Sequence, residues 1–264
     1  MIKFIFLTVI IAVSFNLPAQ EVDIFTKDLG EGKLEVWIKN NSLTTHTVKV
    51  DIEQSGMTQD TKTPVTKILK GNTSEKIATL TPKPNKSYGY GLKKNAIKGN
   101  ALAKHDDTFI YQLPYPKGKT YRVDQGYNGK TTHENKNALD FNLPEGSEIC
   151  AIRAGIVFEL EEKNKRGCPR QECVNLSNFI VIEHEDGSLA NYAHLKKNGV
   201  LLEVGDKVSA GEVIGLSGET GWASGPHLHL EIYTISWDDQ RSIPAKYYLN
   251  DSIIVPKEGQ FYTR

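Results

Sequence analysis

Apolar and polar residues alternate with a period of two in short stretches along most of this chain, and turn-forming residues separate the stretches. Segments 33–39 and 47–52 alternate in this way, with Asn40-Asn41-Ser42 and Gly71-Asn72 as punctuation. Successive side chains of a strand point to opposite faces, so the pattern predicts half-buried strands joined by tight turns. Residues 20–104 therefore read as a small immunoglobulin-like β-sandwich. It carries no catalytic set of its own; spacing, docking, covering a groove and a purely structural role all stay open. The polar run 104–107 marks the boundary to a second region, 105–250. There the predicted strands are 149–158, 179–184, 189–194, 213–216 and 228–233, and Asp186-Gly187 joins the middle pair as a hairpin. No long amphipathic helix interrupts them. The expected fold is all-β, an antiparallel β-sheet, and residues 251–264 read as an extended C-terminal tail carrying Ile253-Ile254-Val255.

One stretch combines this alternation with chemistry: Gly225-Pro226-His227-Leu228-His229-Leu230-Glu231. On a strand His227 and His229 point one way while Leu228, Leu230 and Ile232 point the other. Two imidazoles on one face of an apolar strand suggest a shared metal or a shared reacting group. Of the seven histidines, two more have distinctive settings. His133 precedes Asp140, and His194 ends Asn191-Tyr192-Ala193-His194 after the Asp186-Gly187 turn. Four histidines and a carboxylate suffice for three ligands and two acid/base groups, with one coordination position left for water as in catalytic zinc. Asp140 lies between Leu139 and Phe141, where an unpaired carboxylate is costly to bury and a metal partner removes the cost. His46, His105 and His184 lack such company and read as surface residues. Glu231 shares the histidine face, either orienting a ligand from behind or standing as a plain surface carboxylate. Gly215, Gly218, Gly221 and Gly225 permit tight loops before the histidine strand. Tyr192, which shares a face with His194 on a strand, and Trp222 either line a groove or pack ordinarily.

The order of these motifs resembles the lysostaphin/LytM-type zinc metallopeptidases, which cut peptide bonds of bacterial peptidoglycan. Supporting segments stand in the same order: Gln125-Gly126-Tyr127-Asn128-Gly129, then Asp140-Phe141-Asn142-Leu143-Pro144-Glu145-Gly146, then Gly205-Asp206-Lys207-Val208-Ser209-Ala210-Gly211, then Gly218-Glu219-Thr220-Gly221. The resemblance covers residues 105–250. It implies a groove over one face of the sheet, zinc held by His133, Asp140 and His229, and His194 and His227 as the catalytic histidines. One departure is visible. Many members place three residues between the first histidine and the aspartate, whereas six intervene here, which reads as a lengthened loop before the ligand strand.

The chemistry also follows from the side chains. Peptide hydrolysis needs an activated water and a stabilised oxyanion. No HExxH segment supplies a glutamate base, so His194 and His227 are the natural proton carriers. Lysine plus arginine and aspartate plus glutamate balance at 32 each, which gives no electrostatic case for nucleic acid. The 264 residues suit one or two domains. Residues 1–19 read as a secretory signal peptide, with Lys3 before an apolar run too short to span a membrane stably. No lipobox-type cysteine follows, so the expected location is the periplasm, cell envelope or exterior. In an exported chain Cys168 and Cys173 read as a disulfide closing a small loop, stabilising by about 2 kcal/mol; Cys150 reads as a buried free thiol. The leading expectation is a secreted zinc endopeptidase acting on peptidoglycan peptides. A non-catalytic regulator of wall hydrolases and a non-haem iron oxygenase with a two-histidine, one-carboxylate triad are the alternatives.

Overall fold

The computed structural model describes residues 21–264; the signal-peptide reading of residues 1–19 lies outside the described residues. Seven strands come first: β1 (Val22–Gly30), β2 (Lys33–Asn40), β3 (His46–Ser55), β4 (Met57–Gln59), β5 (Val65–Leu69), β6 (Ser74–Pro82) and β7 (Gly89–Lys98). They form two sheets, ordered β1-β2-β6-β4 and β5-β3-β7. The alternation decides which side chains meet between them. Val48, Val50 and Ile52 of β3 are buried with Val36, Ile38 and Leu80, while Lys49, Asp51 and Glu53 are exposed. This is the predicted sandwich, with β3 at the centre of the three-stranded sheet.

The chain continues through β8 (Ile110–Tyr111), β9 (Thr120–Gln125), β10 (Ala138–Phe141), β11 (Glu148–Cys150), β12 (Gly155–Glu161) and β13 (Gly167–Cys168). A single 3-10 turn at Gln171–Leu176, the one helical element among the described residues, leads to β14 (Phe179–Glu183), β15 (Leu189–Ala193) and β16 (Leu195–Val200). Then come β17 (Lys207–Val208), β18 (Val213–Ser217), β19 (Gly221–Trp222) and β20 (Leu228–Ile235). The short strands β21 (Gln240–Ser242), β22 (Lys246–Leu249), β23 (Ser252–Ile254) and β24 (Phe261–Thr263) close the chain. The main sheet runs β17-β12-β14-β15-β20-β10-β9-β24, with antiparallel neighbours throughout. One face buries Leu139, Phe141, Ile180, Ile182, Tyr192, Leu228, Leu230 and Ile232 in the main core. Strands β11, β18 and β16 form a separate three-stranded sheet whose Ile149, Ile214 and Leu195 belong to the same core. The opposite face of β10, β15 and β20 is left for the site.

The sandwich meets that opposite face away from the site. Phe158, Val181, Leu189 and Tyr233 form a small apolar cluster there. Gly99, just beyond β7, packs against it with φ +95°; a Cβ at Gly99 would stand 2.5 Å from Ile235 Cδ1, so both backbone and space call for glycine.

Several expectations need correction. Segment 149–158 is two strands in different sheets, β11 and β12; Ala151 and Ile152 between them are buried, so apolarity runs on through the break. The last fourteen-residue segment, 251–264, is not a free tail: β23 pairs with β22, β24 pairs with β9, and Arg264 bonds Gln112 and the Tyr115 carbonyl. The three histidines read as surface are not. His46 is buried against Glu21 at 2.9 Å, and His105 bonds Tyr111 and Asp107, each at 2.8 Å. His184 is buried, with Nδ1 donating to the Ala154 carbonyl at 2.9 Å and Nε2 without a partner. The disulfide Cys168–Cys173 is present and Cys150 is a buried free thiol. No helix among the described residues is long and apolar enough to cross a membrane.

Burial lowers the His184 imidazole to about 4, so the folded state resists a proton that the unfolded chain accepts near its ordinary 6.5. Its contribution to stability is complete above pH 6.5 and falls as pH drops towards 4, by up to about 3 kcal/mol. Urea unfolding across this range should show a steep pH slope in the native chain and a shallower one in His184→Leu, whatever the variant's absolute stability. Equal slopes would contradict the assignment.

Candidate active site

Register across the main sheet brings the polar groups together. Asp140 on β10 stands directly opposite His229 on β20 and opposite Gln125 on β9, while Ala193 of β15 faces His229 from the other side. His133 comes from the loop between β9 and β10 and is buried. Its Nδ1 donates to the Gly126 carbonyl at 3.1 Å, which fixes the tautomer and turns the Nε2 lone pair to the site. His133 Nε2 lies 3.2 Å from His229 Nδ1 and 3.3 Å from Asp140 Oδ1, and His229 Nδ1 lies 3.0 Å from the same oxygen.

This triangle suits a metal. Ligands about 2.0–2.2 Å from a tetrahedral zinc stand roughly 3.3–3.5 Å from one another, close to all three separations. These atoms are also the one group among the described residues with metal-holding geometry. Burial pushes the Asp140 carboxyl up, yet hydrogen bonds and charge from His133 and His229 hold it far below the carboxylate range. Burial pushes His229 down, but Asp140 and Glu231 outweigh it and raise the imidazole to about 9. The pocket thus favours positive charge.

His194 and His227 border this triangle, their rings 4.5 Å apart, and His227 Nε2 is 3.9 Å from Asp140 Oδ1. His194 has φ +65°, a left-handed conformation rare outside glycine. That kink ends β15 and breaks the alternation, so Tyr192 points into the core and accepts a hydrogen bond from the Ile152 N–H at 2.9 Å. Of the two readings left open for each aromatic, Tyr192 packs ordinarily, off the face of His194, whereas Trp222 lines the groove. His194 Nδ1 donates to the Thr220 carbonyl at 2.7 Å and His227 Nδ1 to the Gly225 carbonyl at 2.9 Å. Both rings thus aim Nε2 away from these anchors. Burial, with the neighbouring charges of His227 and His229, lowers His194 to about 3, so it stays neutral near pH 7.

All five singled-out residues converge, and two supporting ones escaped the sequence reading. Gln125 donates to Asp140 Oδ2 at 3.1 Å while its Oε1 accepts the N–H groups of Thr131 and Thr132. Thr220 anchors His194, its own hydroxyl bonded to the Leu195 carbonyl at 2.7 Å and the Asn178 N–H at 2.9 Å. Gln125 lay inside a quoted motif, but nothing in one sequence marked it as facing Asp140. The groove has two lobes of about 970 and 550 Å³. The disulfide loop walls both: Pro169 lines the first and Gln171 the second, with Val174 just beyond the loop.

Comparison with known proteins agrees with the sequence-level resemblance. Residues 134–243 match the model of Peptidase family M23. The match includes Asp140, His194, His227 and His229 and begins one residue after His133. A peptidoglycan DD-endopeptidase, ShyA of Vibrio cholerae, is 32% identical over 124 residues, covering 45% of this chain and 26% of the relative. The glycyl-glycine endopeptidase ALE-1 of Staphylococcus capitis is 32% identical over 149 residues, covering 56% of this chain and 36% of the relative. The chain thus spans about a quarter to a third of the length of these relatives. The lysostaphin catalytic domain from Staphylococcus simulans aligns at 26% identity and a TM-score of 0.34, over 47% of this chain and 87% of the domain.

Because Gln125 restrains the carboxylate from behind, Gln125→Ala should weaken retention of a divalent transition metal by about 10–100-fold. Chelator competition measures this; an unchanged affinity would contradict the role.

Proposed function

We propose that this chain is an exported zinc metalloendopeptidase that hydrolyses peptide cross-links or stem peptides of bacterial peptidoglycan, with residues 105–250 as its peptidase domain. The observation that carries the reading is the close triangle of His133, Asp140 and His229 atoms beside two further imidazoles pinned through Nδ1. The relatives named as peptidoglycan DD-endopeptidase and glycyl-glycine endopeptidase support the substrate class.

His133, Asp140 and His229 would hold the zinc. When bound, zinc supplies Lewis-acid polarisation and lowers the pKa of its water to about 7. The chain's own residues supply the rest. His194, neutral and with Nε2 free, takes a proton from the attacking water. A proton held there is given up readily, because burial disfavours the imidazolium, and the departing amine needs one. His227, just before β20, reaches the same space with its ring 4.5 Å from that of His194 and shares in stabilising the developing oxyanion. Trp222 and the disulfide loop confine an extended peptide within the groove. The sandwich meets that face away from the site, where Gly99 packs against Ile235 and Phe158.

Release of new amine ends from purified peptidoglycan should stop with chelator and return with zinc. His229→Ala should lose the metal, whereas His194→Ala should keep it and lose about 10²–10⁴ in kcat. Undiminished turnover by His194→Ala would contradict its role as proton carrier.

A further inference from the structure

The backbone of His194 is held in a costly conformation, and two separate segments hold it. A φ of +65° is disfavoured for any residue with a Cβ and persists only where surrounding contacts over-determine it. On one side the Ser177 hydroxyl oxygen accepts the His194 N–H at 3.2 Å, and the Asn178 carbonyl accepts the next N–H, of Leu195, at 3.0 Å. On the other side the Thr220 carbonyl accepts Nδ1–H and fixes the ring. The two segments also touch each other. The Asn178 N–H donates to the Thr220 hydroxyl at 2.9 Å, and a Cβ on Gly221 would stand 2.6 Å from the Ser177 Cβ.

Each segment leads to one half of the disulfide. Cys173 sits in the 3-10 turn Gln171–Leu176, which Ser177 follows directly. Cys168 belongs to β13, which pairs in parallel with β19 just beyond Thr220. There the Arg166 carbonyl accepts the Gly221 N–H at 3.0 Å, and the Cys168 carbonyl accepts the Ala223 N–H at 3.2 Å. The Cys168–Cys173 bond therefore joins the segment that pins the backbone of His194 to the segment that pins its ring. Burial adds little to this excursion between β12 and β14: Arg170, Gln171, Glu172, Val174 and Asn175 are all exposed. Segments with few buried apolar contacts open at low free-energy cost. The bridge spans only five positions of sequence, and so short a loop gains little from restricting the unfolded chain. Its larger consequence is local.

We propose that the Cys168–Cys173 bridge and Ser177 are positioning elements for His194, holding Nε2 where it can take the proton of the attacking water. This rests on the peptidase reading above. Besides walling the groove, the disulfide loop then sets the turnover rate through a histidine that it does not touch. A misplacement of about an ångström at a proton acceptor can cost on the order of 10²-fold in rate.

Substitution tests this more cleanly than a thiol reductant, which would compete for zinc. The zinc-loaded full chain carrying Cys168→Ser and Cys173→Ser together should lose about tenfold or more in kcat on soluble cross-linked peptidoglycan fragments, with zinc content and KM little changed. Ser177→Ala keeps the bridge and should lower kcat in the same way. The two losses should not add, since both release one side chain. Heteronuclear NMR should show a slowly exchanging His194 Nδ1–H in the native chain and a broadened or missing one in both variants. An undiminished kcat, a loss carried by KM alone, or an unchanged Nδ1–H signal would overturn the proposal and leave the loop as a groove wall. If the native chain cuts no fragment, the peptidase reading fails, and the Nδ1–H signal alone decides the positioning: its loss in the variants supports it and its persistence rejects it. Should the double cysteine variant not fold, Ser177→Ala carries both measurements.

Discussion

The pairing register of β10 with β20 governs this site. It sets Asp140 directly opposite His229, and a shift of one residue would turn both side chains into the core while bringing Leu139 and Leu230 to the surface. The register is held from the other face, where Leu139, Phe141, Leu228 and Leu230 are fully or almost fully buried. Apolar packing on one side of two strands thereby fixes polar geometry on the other. Precision of a few tenths of an ångström among ligand atoms is inherited from a core that tolerates no slip.

Around that pair, order is supplied mainly by backbone groups. The carbonyls of Gly126, Thr220 and Gly225 each accept an Nδ1–H from a histidine, so three rings are oriented by atoms that no side-chain substitution removes. Gln125 does the same for Asp140 with a side chain. A carboxylate with several imidazoles would be unstable in a buried setting without a cation. Asp140 and Glu231 raise the basicity of His229 for the same reason.

Much of this was legible in the sequence, and the failures have physical reasons. Alternation alone put His227 and His229 on one face and the leucines on the other, because strand geometry is local. The identity of Asp140 as their partner came from motif order. Gln125 and Thr220 were invisible as functional groups, since their roles depend on register or on a backbone carbonyl. The shared face read for Tyr192 and His194 fails because the left-handed backbone of His194 breaks the alternation at that point. His46 and His184 looked like surface residues in polar surroundings, yet each is buried by the fold. The strand 149–158 was read as continuous because its buried break is as apolar as the strands it separates.

The most direct test of the account is anomalous diffraction at the zinc edge from crystals of the full chain loaded with one equivalent of zinc. The account predicts one strong peak about 2.0–2.2 Å from His133 Nε2, Asp140 Oδ1 and His229 Nδ1. A peak held by other residues, or none at this triangle, would contradict it.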